Sequence, residues 1–447
     1  MTARAFSFCL FIAYAFCLLV AAQAQIAFQS AALKVGGTPF CVTAADVNND
    51  GKVDLISADS GNGSGNTLTV LTNSGSGIFG VNLAFGSNAT YTVGIDPEFV
   101  VATDVNGDGK IDLVAANFGS GSGNTLTVLT NNGNGVFGSN ATYSVGNGPQ
   151  SMVAVDVNCD GKMDLVSANR NGASLTVLTN GGGGIFGSNA TYYVGAIPVS
   201  VTAADINGDG KMDLISANLS AQLTILTNNG SGSFGSNATL FVTGIPFSAP
   251  EFVTAADVNS DGKVDLIFAD GVPSTLTILT NNGNGILGLN ATYRVGNEPR
   301  SVVAVDVNRD GKVDLISASA GDATLTVLTN AGSGLFGSNA TYNVGFGPIS
   351  VAAADVNNDG KSDLISANYY DNTLTLLTAS PVSAPPLLSI AAAGNQTVIY
   401  SPPSGANFTL QTTTNLSSPN WAAVTNGTAI VGVVVSNSAP AAFFRLQ

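Results

Sequence analysis

Seven times along the chain, oxygen-bearing side chains alternate around a glycine in the pattern D-x-N-x-D-G-K-x-D. Position one is Asp46, Asp104, Asp156, Asp205, Asp257, Asp306 and Asp355, and position three is Asn48, Asn106, Asn158, Asn207, Asn259, Asn308 and Asn357. Position five is Asp50, Asp108, Asp160, Asp209, Asp261, Asp310 and Asp359, and position nine is Asp54, Asp112, Asp164, Asp213, Asp265, Asp314 and Asp363. Alternate residues of a tight loop converge their oxygens on one point, and the glycine at position six permits the sharp turn. The backbone carbonyl of position seven, from Lys52, Lys110, Lys162, Lys211, Lys263, Lys312 and Lys361, fills the remaining side. Such a cage suits a hard cation, and Ca²⁺ accepts this many flexible oxygens more readily than Mg²⁺ does. The expectation is about one Ca²⁺ per copy, up to seven.

Two other loops begin in a similar way. A plain Asp/Asn/Gly hairpin turn needs no ion, but three carboxylates crowded at fixed offsets repel one another without a cation. An EF-hand or dockerin loop needs flanking helices, and the EF-hand needs Glu at position twelve. Here that position holds Ser57, Ala115, Ser167, Ser216, Phe268, Ser317 and Ser366.

The remaining chemistry is sparse. With no histidine in the chain, imidazole bases and imidazole zinc ligands are excluded. The net charge is −15, yet three Asp in each of seven copies make 21 of the 29 acidic residues, so the rest of the surface is nearly uncharged. That balance argues against nucleic acid as a partner. Glu98, Glu251, Glu298, Arg170, Arg294, Arg300 and Arg309 lie outside the acidic positions at scattered places, with no nucleophile–base spacing among them, so no catalytic residue is assigned and the chain is not read as an enzyme. "GSGIFG" and "GNGVFG" match a dinucleotide fingerprint but lie between strands, not before a helix. "NAT" recurs from Asn88 to Asn339 and reads as a repeat residue that turns the chain, ahead of a glycan acceptor.

Something must hold seven such loops in equivalent places. The copies recur about every 50 residues, a period typical of propellers and solenoids whose units bury their apolar faces only against neighbours. One unit reads "SVVAVDVNRDGKVDLISASAGDATLTVLTNAGSGLFGSNATYNVG" and contains four runs rich in Val, Ile, Leu, Thr or Tyr, bounded by Gly, Asn or Asp. No helical period intervenes. The expected fold is all-β, a seven-bladed β-propeller with four-stranded blades. The seventh unit lacks its last strand, so Ala31–Gly36 is expected to pair with Thr373–Thr378 and close the ring. Asp59–Asn66 and Asn117–Asn124 are Gly/Ser-rich and read as flexible surface loops.

Residues 1–25 carry an apolar run and a small-x-small site, the pattern of a secretory signal peptide. The propeller is expected over 26–380, a Pro-rich linker over 381–388, and a small C-terminal β-sandwich module with the single Trp421 over 389–447. No second run is long enough to span a membrane, so none is expected after signal removal. Cys41 and Cys159 are read as unpaired thiols.

The repeat resembles the FG-GAP family, also described as VCBS repeats, whose best-known relative is the propeller of integrin α subunits. The matching residues are Phe137-Gly138, Phe186-Gly187 and Phe336-Gly337, the steps Gly146–Pro149, Gly195–Pro198 and Gly345–Pro348, and the acidic loop itself. The resemblance covers about residues 31–380 and implies that the loop joins the two innermost strands of a blade and binds Ca²⁺.

The functional expectation is a monomeric, secreted or cell-surface module, in a bacterial envelope, that binds or adheres to an extracellular protein or glycan. Its partner is expected on the face opposite the acidic loops, because the loop end is nearly identical from blade to blade. The candidates are Phe118, Arg170, Glu298, Arg300, Tyr369 and Tyr370, within a variable set that also includes Asp59, Asp96, Glu98, Phe247, Asp322, Phe346 and Asp371. A Ca²⁺-dependent polysaccharide lyase or hydrolase is the alternative, favoured by a cluster of basic, acidic and Tyr residues on one face. A structural surface component without a ligand is the second alternative.

Overall fold

The computed structural model describes residues 26–75, 89–241 and 249–379, together with six strand segments between Ser389 and Leu446. Seven four-stranded antiparallel sheets account for Phe28–Ala379. Six of them run in chain order, as in Pro39–Ala45, Asp54–Asp59, Thr67–Leu71 and Ala89–Thr92. The seventh is Pro348–Ala354, Asp363–Asn368 and Thr373–Ala379, completed by Phe28–Lys34 from the start of the chain. The result is the expected seven-bladed propeller, almost free of helix.

The second strand explains why the blades pack. In all seven copies it is buried at every position, as in Asp54–Asp59 and Asp363–Asn368, because blades stack against both of its faces. Hence its interior side chains are apolar or small, without alternation, between a buried Asp at its start and a buried Asp, Asn or Ser at its end. Each core cluster is shared by two blades. Ile56, Leu68 and Val70 of the first meet Val100, Leu113 and Phe137 of the second, while Val42, Leu55 and Leu71 meet Val356, Ile365 and Leu374 of the seventh. Truncating a leucine in such a core costs about 2–5 kcal/mol.

Closure follows the expected logic, but the strand lies nearer the start of the chain than the Ala31–Gly36 expected. Phe28–Lys34 pairs with Thr373–Ala379 in the register Phe28↔Ala379 to Lys34↔Thr373. The Phe28 ring meets Tyr342 edge-on at 4.9 Å. The same contact recurs as Tyr91–Phe137, Tyr143–Phe186, Tyr192–Phe234 and Tyr293–Phe336, so Phe28 stands where other blades place the Phe of their Phe-Gly or equivalent step.

Polar stitches join the blades as well. The Asn ending each third strand donates its side-chain amide to a carbonyl of the preceding blade: Asn131 to Val47, Asn180 to Val105, Asn228 to Val157, Asn281 to Ile206, Asn330 to Val258 and Asn73 to Val356, at 2.6–2.8 Å. In the seventh blade that place is taken by Ala379, which has no amide to give. Nearer the axis, Val42, Val201, Val253 and Val351 donate backbone N–H to the hydroxyls of Ser350, Ser151, Ser200 and Ser301 in neighbouring blades.

The two Gly/Ser-rich loops are not free tethers, contrary to the reading of them as flexible. Each contains a short 3₁₀ turn, Gly61–Gly63 and Gly119–Gly121, and is bonded to its surroundings: Asn62 N–H donates to Thr38 Oγ1, and Ser120 N–H to Asp96 Oδ2 at 2.8 Å. Cys41 is buried and Cys159 exposed, both unpaired. The C-terminal segments form two three-stranded sheets, one from Ser389–Ala393, Gln396–Tyr400 and Val433–Ser436, the other from Leu410–Thr413, Ala422–Ala423 and Phe443–Leu446. The residues between those strands, with the sandwich packing expected of the module, lie outside the described residues, as do the signal segment 1–25 and the linker 381–388. Among the described residues, no helix is long and apolar enough to cross a membrane.

Candidate functional site

Both ends of the ring are shaped by the innermost strand of each blade. At one end that strand leads into the acidic loop. Asp46 accepts hydrogen bonds from the N–H of Asp50 at 3.2 Å and of Gly51 at 2.8 Å, Asn48 Oδ1 accepts from Asp50 N–H at 2.9 Å, and Asp50 Oδ1 from Lys52 N–H at 3.0 Å. Two left-handed residues make this turn, Asn49 at φ 60° and Gly51 at φ 79°. The other six loops repeat the pattern, and in six of the seven the Lys ammonium lies 3.0–3.8 Å from the position-five carboxylate. Position nine differs from the rest. Asp54 is fully buried, and its two oxygens accept from the N–H of Val47 and Asn73 at 3.0 and 2.6 Å, tying loop to third strand. Burial, followed by the Asp50 and Asp46 carboxylates, pushes Asp54 up to about 6 against the relief from those two N–H groups, and the same causes push Asp363 up to about 7.

The donor set fits a hard divalent cation in kind. Side-chain oxygens of positions one, three and five lie on one exposed turn, where each accepts backbone N–H groups of the same loop. Among the described residues, however, no three acidic or Cys side chains already stand in a closed metal-binding group. The position-five carboxylate leans on its Lys, and position nine is satisfied by backbone.

The opposite end is built by a β-bulge. In every blade the innermost strand opens with Pro, and the register slips by one residue just after it: between Pro39 and Cys41, Pro97 and Phe99, Pro149 and Ser151, Pro198 and Ser200, Pro250 and Phe252, Pro299 and Ser301, and Pro348 and Ser350. A bulge leaves one residue unpaired and re-aims its side chain. The seven bulged residues are Phe40, Glu98, Gln150, Val199, Glu251, Arg300 and Ile349, and all seven line one cavity of about 450 Å³ at the mouth of the central channel. Arg170, Glu298, Phe346, Tyr369 and Tyr370 complete its wall from the neighbouring turns.

The wall is divided into sectors. Tyr369 lies edge-on to Phe40 at 6.1 Å and to Tyr370 at 5.0 Å, and Tyr370 stands 5.3 Å from Phe346, giving an aromatic side. Arg300 is held by two acids, Glu251 at 2.8 Å and Glu298 at 3.5 Å. Arg170 donates to Gln150 Oε1 at 3.4 Å, and its guanidinium carbon lies 6.0 Å from the Phe118 ring. Glu98 is the exception. It is 6% exposed, and its Oε2 has no hydrogen-bond partner. Burial, then the Asp96 carboxylate, pushes Glu98 up to about 8, while Arg170 and Gln150 pull the other way. Burial, followed by Asp96, Tyr370 and Glu98, likewise raises Tyr369. Deeper in the channel Cys41 is pushed up to about 11 by burial, which keeps it a thiol.

Six overlapping matches to the FG-GAP-like repeat model run through residues 46–115, 104–167, 156–216, 205–268, 257–317 and 306–366. The chain belongs to the FG-GAP-like repeat family. No curated protein matches it. Among solved structures it is similar to BBS1N, crystallised in complex with ARL6DN (TM-score 0.56, 12% identity, 81% of this chain and 98% of that one). It is also similar to a catalytically inactive virginiamycin B lyase from Staphylococcus aureus crystallised with quinupristin (0.53, 16%, 78% and 99%), and to a putative 6-phosphogluconolactonase from Bacteroides uniformis (0.52, 17%, 71% and 89%). At these identities the likeness is one of fold.

In this FG-GAP-like propeller the residues singled out from sequence fall into three groups. The acidic positions sit in seven equivalent loops at one end. Arg170, Glu298, Arg300, Tyr369 and Tyr370 come together at the other, with Phe118 behind Arg170. Several of the wider variable set belong to the scaffold: Asp59 is buried and accepts from the hydroxyls of Ser57 and Thr69, Asp322 accepts from Asn297 N–H at 2.7 Å, and Asp371 from Phe346 N–H at 2.6 Å. Phe247 lies outside the described residues. Sequence reasoning missed Phe40, Gln150, Val199, Glu251 and Ile349 as mouth residues. The signal was present, since the position after Pro reads Phe, Glu, Gln, Val, Glu, Arg and Ile in strands that otherwise repeat.

Proposed function

We propose that this chain is a secreted or cell-surface, calcium-loaded propeller that binds an extracellular protein or glycan at the mouth opposite its acidic loops. The observation that carries the reading is the set of seven bulges, which aims seven dissimilar side chains at one cavity of about 450 Å³. A recess that combines apolar and aromatic walls with convergent charged groups is the form that specific ligand sites take. The calcium part rests on the donor set. Positions one, three, five and nine and the carbonyl of position seven would hold the ion, which would supply the positive charge that the crowded carboxylates lack. A protein and glycan binding array, run with and without Ca²⁺, tests the whole. Replacing Tyr369, Tyr370 and Arg300 together with Ala is expected to abolish any array hit while Ca²⁺ uptake stays intact. Retained binding would place the site elsewhere.

The mouth also favours a second reading, a Ca²⁺-dependent lyase or hydrolase. Glu98, Arg170, Glu251, Glu298 and Arg300 with two tyrosines make the charged and phenolic cluster that such an enzyme requires. Mass analysis of array ligands after prolonged incubation separates the two: cleaved ligand means an enzyme, and ligand recovered whole means a binder.

A further inference from the structure

The mouth's wall narrows its ligand to one chemistry, provided that the mouth is the binding site. Its charges are unevenly settled. Arg300 neutralises Glu251 and bridges to Glu298, and Arg170 is occupied by Gln150 and the Phe118 ring. Among the described acids of the wall, Glu98 alone presents a buried carboxyl oxygen, Oε2, without a hydrogen-bond partner, while Gln150 bonds its carboxyl group. Phe40, Phe99 and Tyr369 line the cavity with it, and aromatic faces beside an acid attract cations through the ring quadrupole.

We propose that the mouth binds an alkyl-ammonium group, seated against the Glu98 carboxylate and the rings of Phe40 and Tyr369. The group could be carried by a small amine or by a lysine side chain of a partner, and the chemistry is the same. The groups facing Glu98 are Asp96 from the turn just before its own strand, Gln150 and Arg170 from the next blade and Tyr369 from the seventh. Once Glu98 is ionised, two negative groups face one positive, which leaves room for a second cation. Because Glu98 holds its proton up to about pH 8, a cation must displace that proton on binding below this pH. Affinity should therefore climb as pH rises toward 8, by up to about tenfold per unit, and then level.

The experiment is calorimetric titration of the purified full chain with choline, with Nα-acetyl-lysine amide, and with the uncharged tert-butyl isostere of choline, each in two buffers of different ionisation heat. The expected result is binding of one or both cations with about one proton released at pH 7, at least about tenfold weaker binding by Glu98→Gln, and weaker binding by Tyr369→Leu, with Tyr369→Phe unchanged. Tighter binding of the lysine amide assigns the group to a protein partner; tighter binding of choline assigns it to a small amine or a headgroup. Equal binding of the neutral isostere, unchanged binding by Glu98→Gln, or no binding of either cation at millimolar concentration overturns the inference. An array hit lost in the Tyr369, Tyr370 and Arg300 variant would then leave the mouth reading standing without it.

Discussion

The two ends of the ring are made by the same strands yet obey opposite rules. At the loop end, seven copies repeat the same residues and the same hydrogen bonds, so whatever happens there happens seven times. At the mouth, one bulged residue per blade breaks the repetition, and Phe40, Glu98, Gln150, Val199, Glu251, Arg300 and Ile349 differ in charge, size and shape. Repetition serves a task that each blade can perform alone, such as holding an ion. An asymmetric ligand needs an asymmetric surface, and the bulge is where the fold tolerates variation because the residue belongs to no ladder.

The broadest test of this division removes what both ends share. Deleting residues 26–36 takes away the strand that pairs with Thr373–Ala379 and opens the ring, with an expected stability loss on the order of several kcal/mol. Thermal melting of the truncated chain checks it, and an unchanged midpoint would show that closure does not matter. Calcium should act on the loop end alone. With dissociation constants near the roughly 10⁻⁴–10⁻³ M of extracellular modules, millimolar Ca²⁺ is expected to raise the melting temperature through about seven sites and to leave the mouth's ligand preference unchanged. Calorimetry that counts far fewer sites, or melting indifferent to Ca²⁺, sinks the loop assignment.

Smaller changes divide the loop itself. Asp213→Ala strands the buried N–H groups of Ile206 and Asn228 and should cost about 3 kcal/mol even without calcium. Asp205→Ala, on the exposed turn, should cost under about 1 kcal/mol without calcium but remove one site. Chemical denaturation of both variants in chelator is the measurement, and equal losses would erase the distinction drawn for position nine. At the mouth the pH dependence carries the sign. A folded-state value raised from 4.5 to about 8 means that Glu98 contributes least instability when protonated, so its stabilising balance is lost as pH rises through that window. Glu98→Gln should therefore be increasingly more stable than the parent between pH 5 and pH 8, and denaturation curves that stay parallel across that range contradict it. A modest gain is expected at the seam. Ala379→Asn would supply the amide that six other blades use and should stabilise by about 1 kcal/mol, read from the denaturation midpoint.

Much of the fold was legible because it depends on residues close together in sequence. The period of the acidic loops, the four β-rich runs and the missing last strand of the seventh unit are counts along the chain, and the pairing of Phe28–Lys34 with Thr373–Ala379 answers the last of them. Both ends of that strand were misjudged: it stops at Lys34, short of the expected Gly36, and begins at Phe28, which is recruited by Tyr342 of another blade, a contact no local pattern announces. The loop oxygens were visible in their spacing. That position nine serves as a buried tie to the third strand was not, since Asp54 acquires Asn73 as a partner only when the hairpin forms.

What the sequence determined by itself is thus the repeating part: strand content, blade number, ring closure and seven acidic loops, all fixed by short-range chemistry and strict periodicity. Tertiary structure alone decided which seven residues face the axis and which charges remain unpaired there. Glu251 and Arg300 are 49 positions apart yet meet at 2.8 Å, and Glu98 Oε2 is left without a partner although Arg170 lies near, because bulge geometry and the closing of the ring set those distances together. A buried charge is defined by what surrounds it, and only the closed ring supplies surroundings.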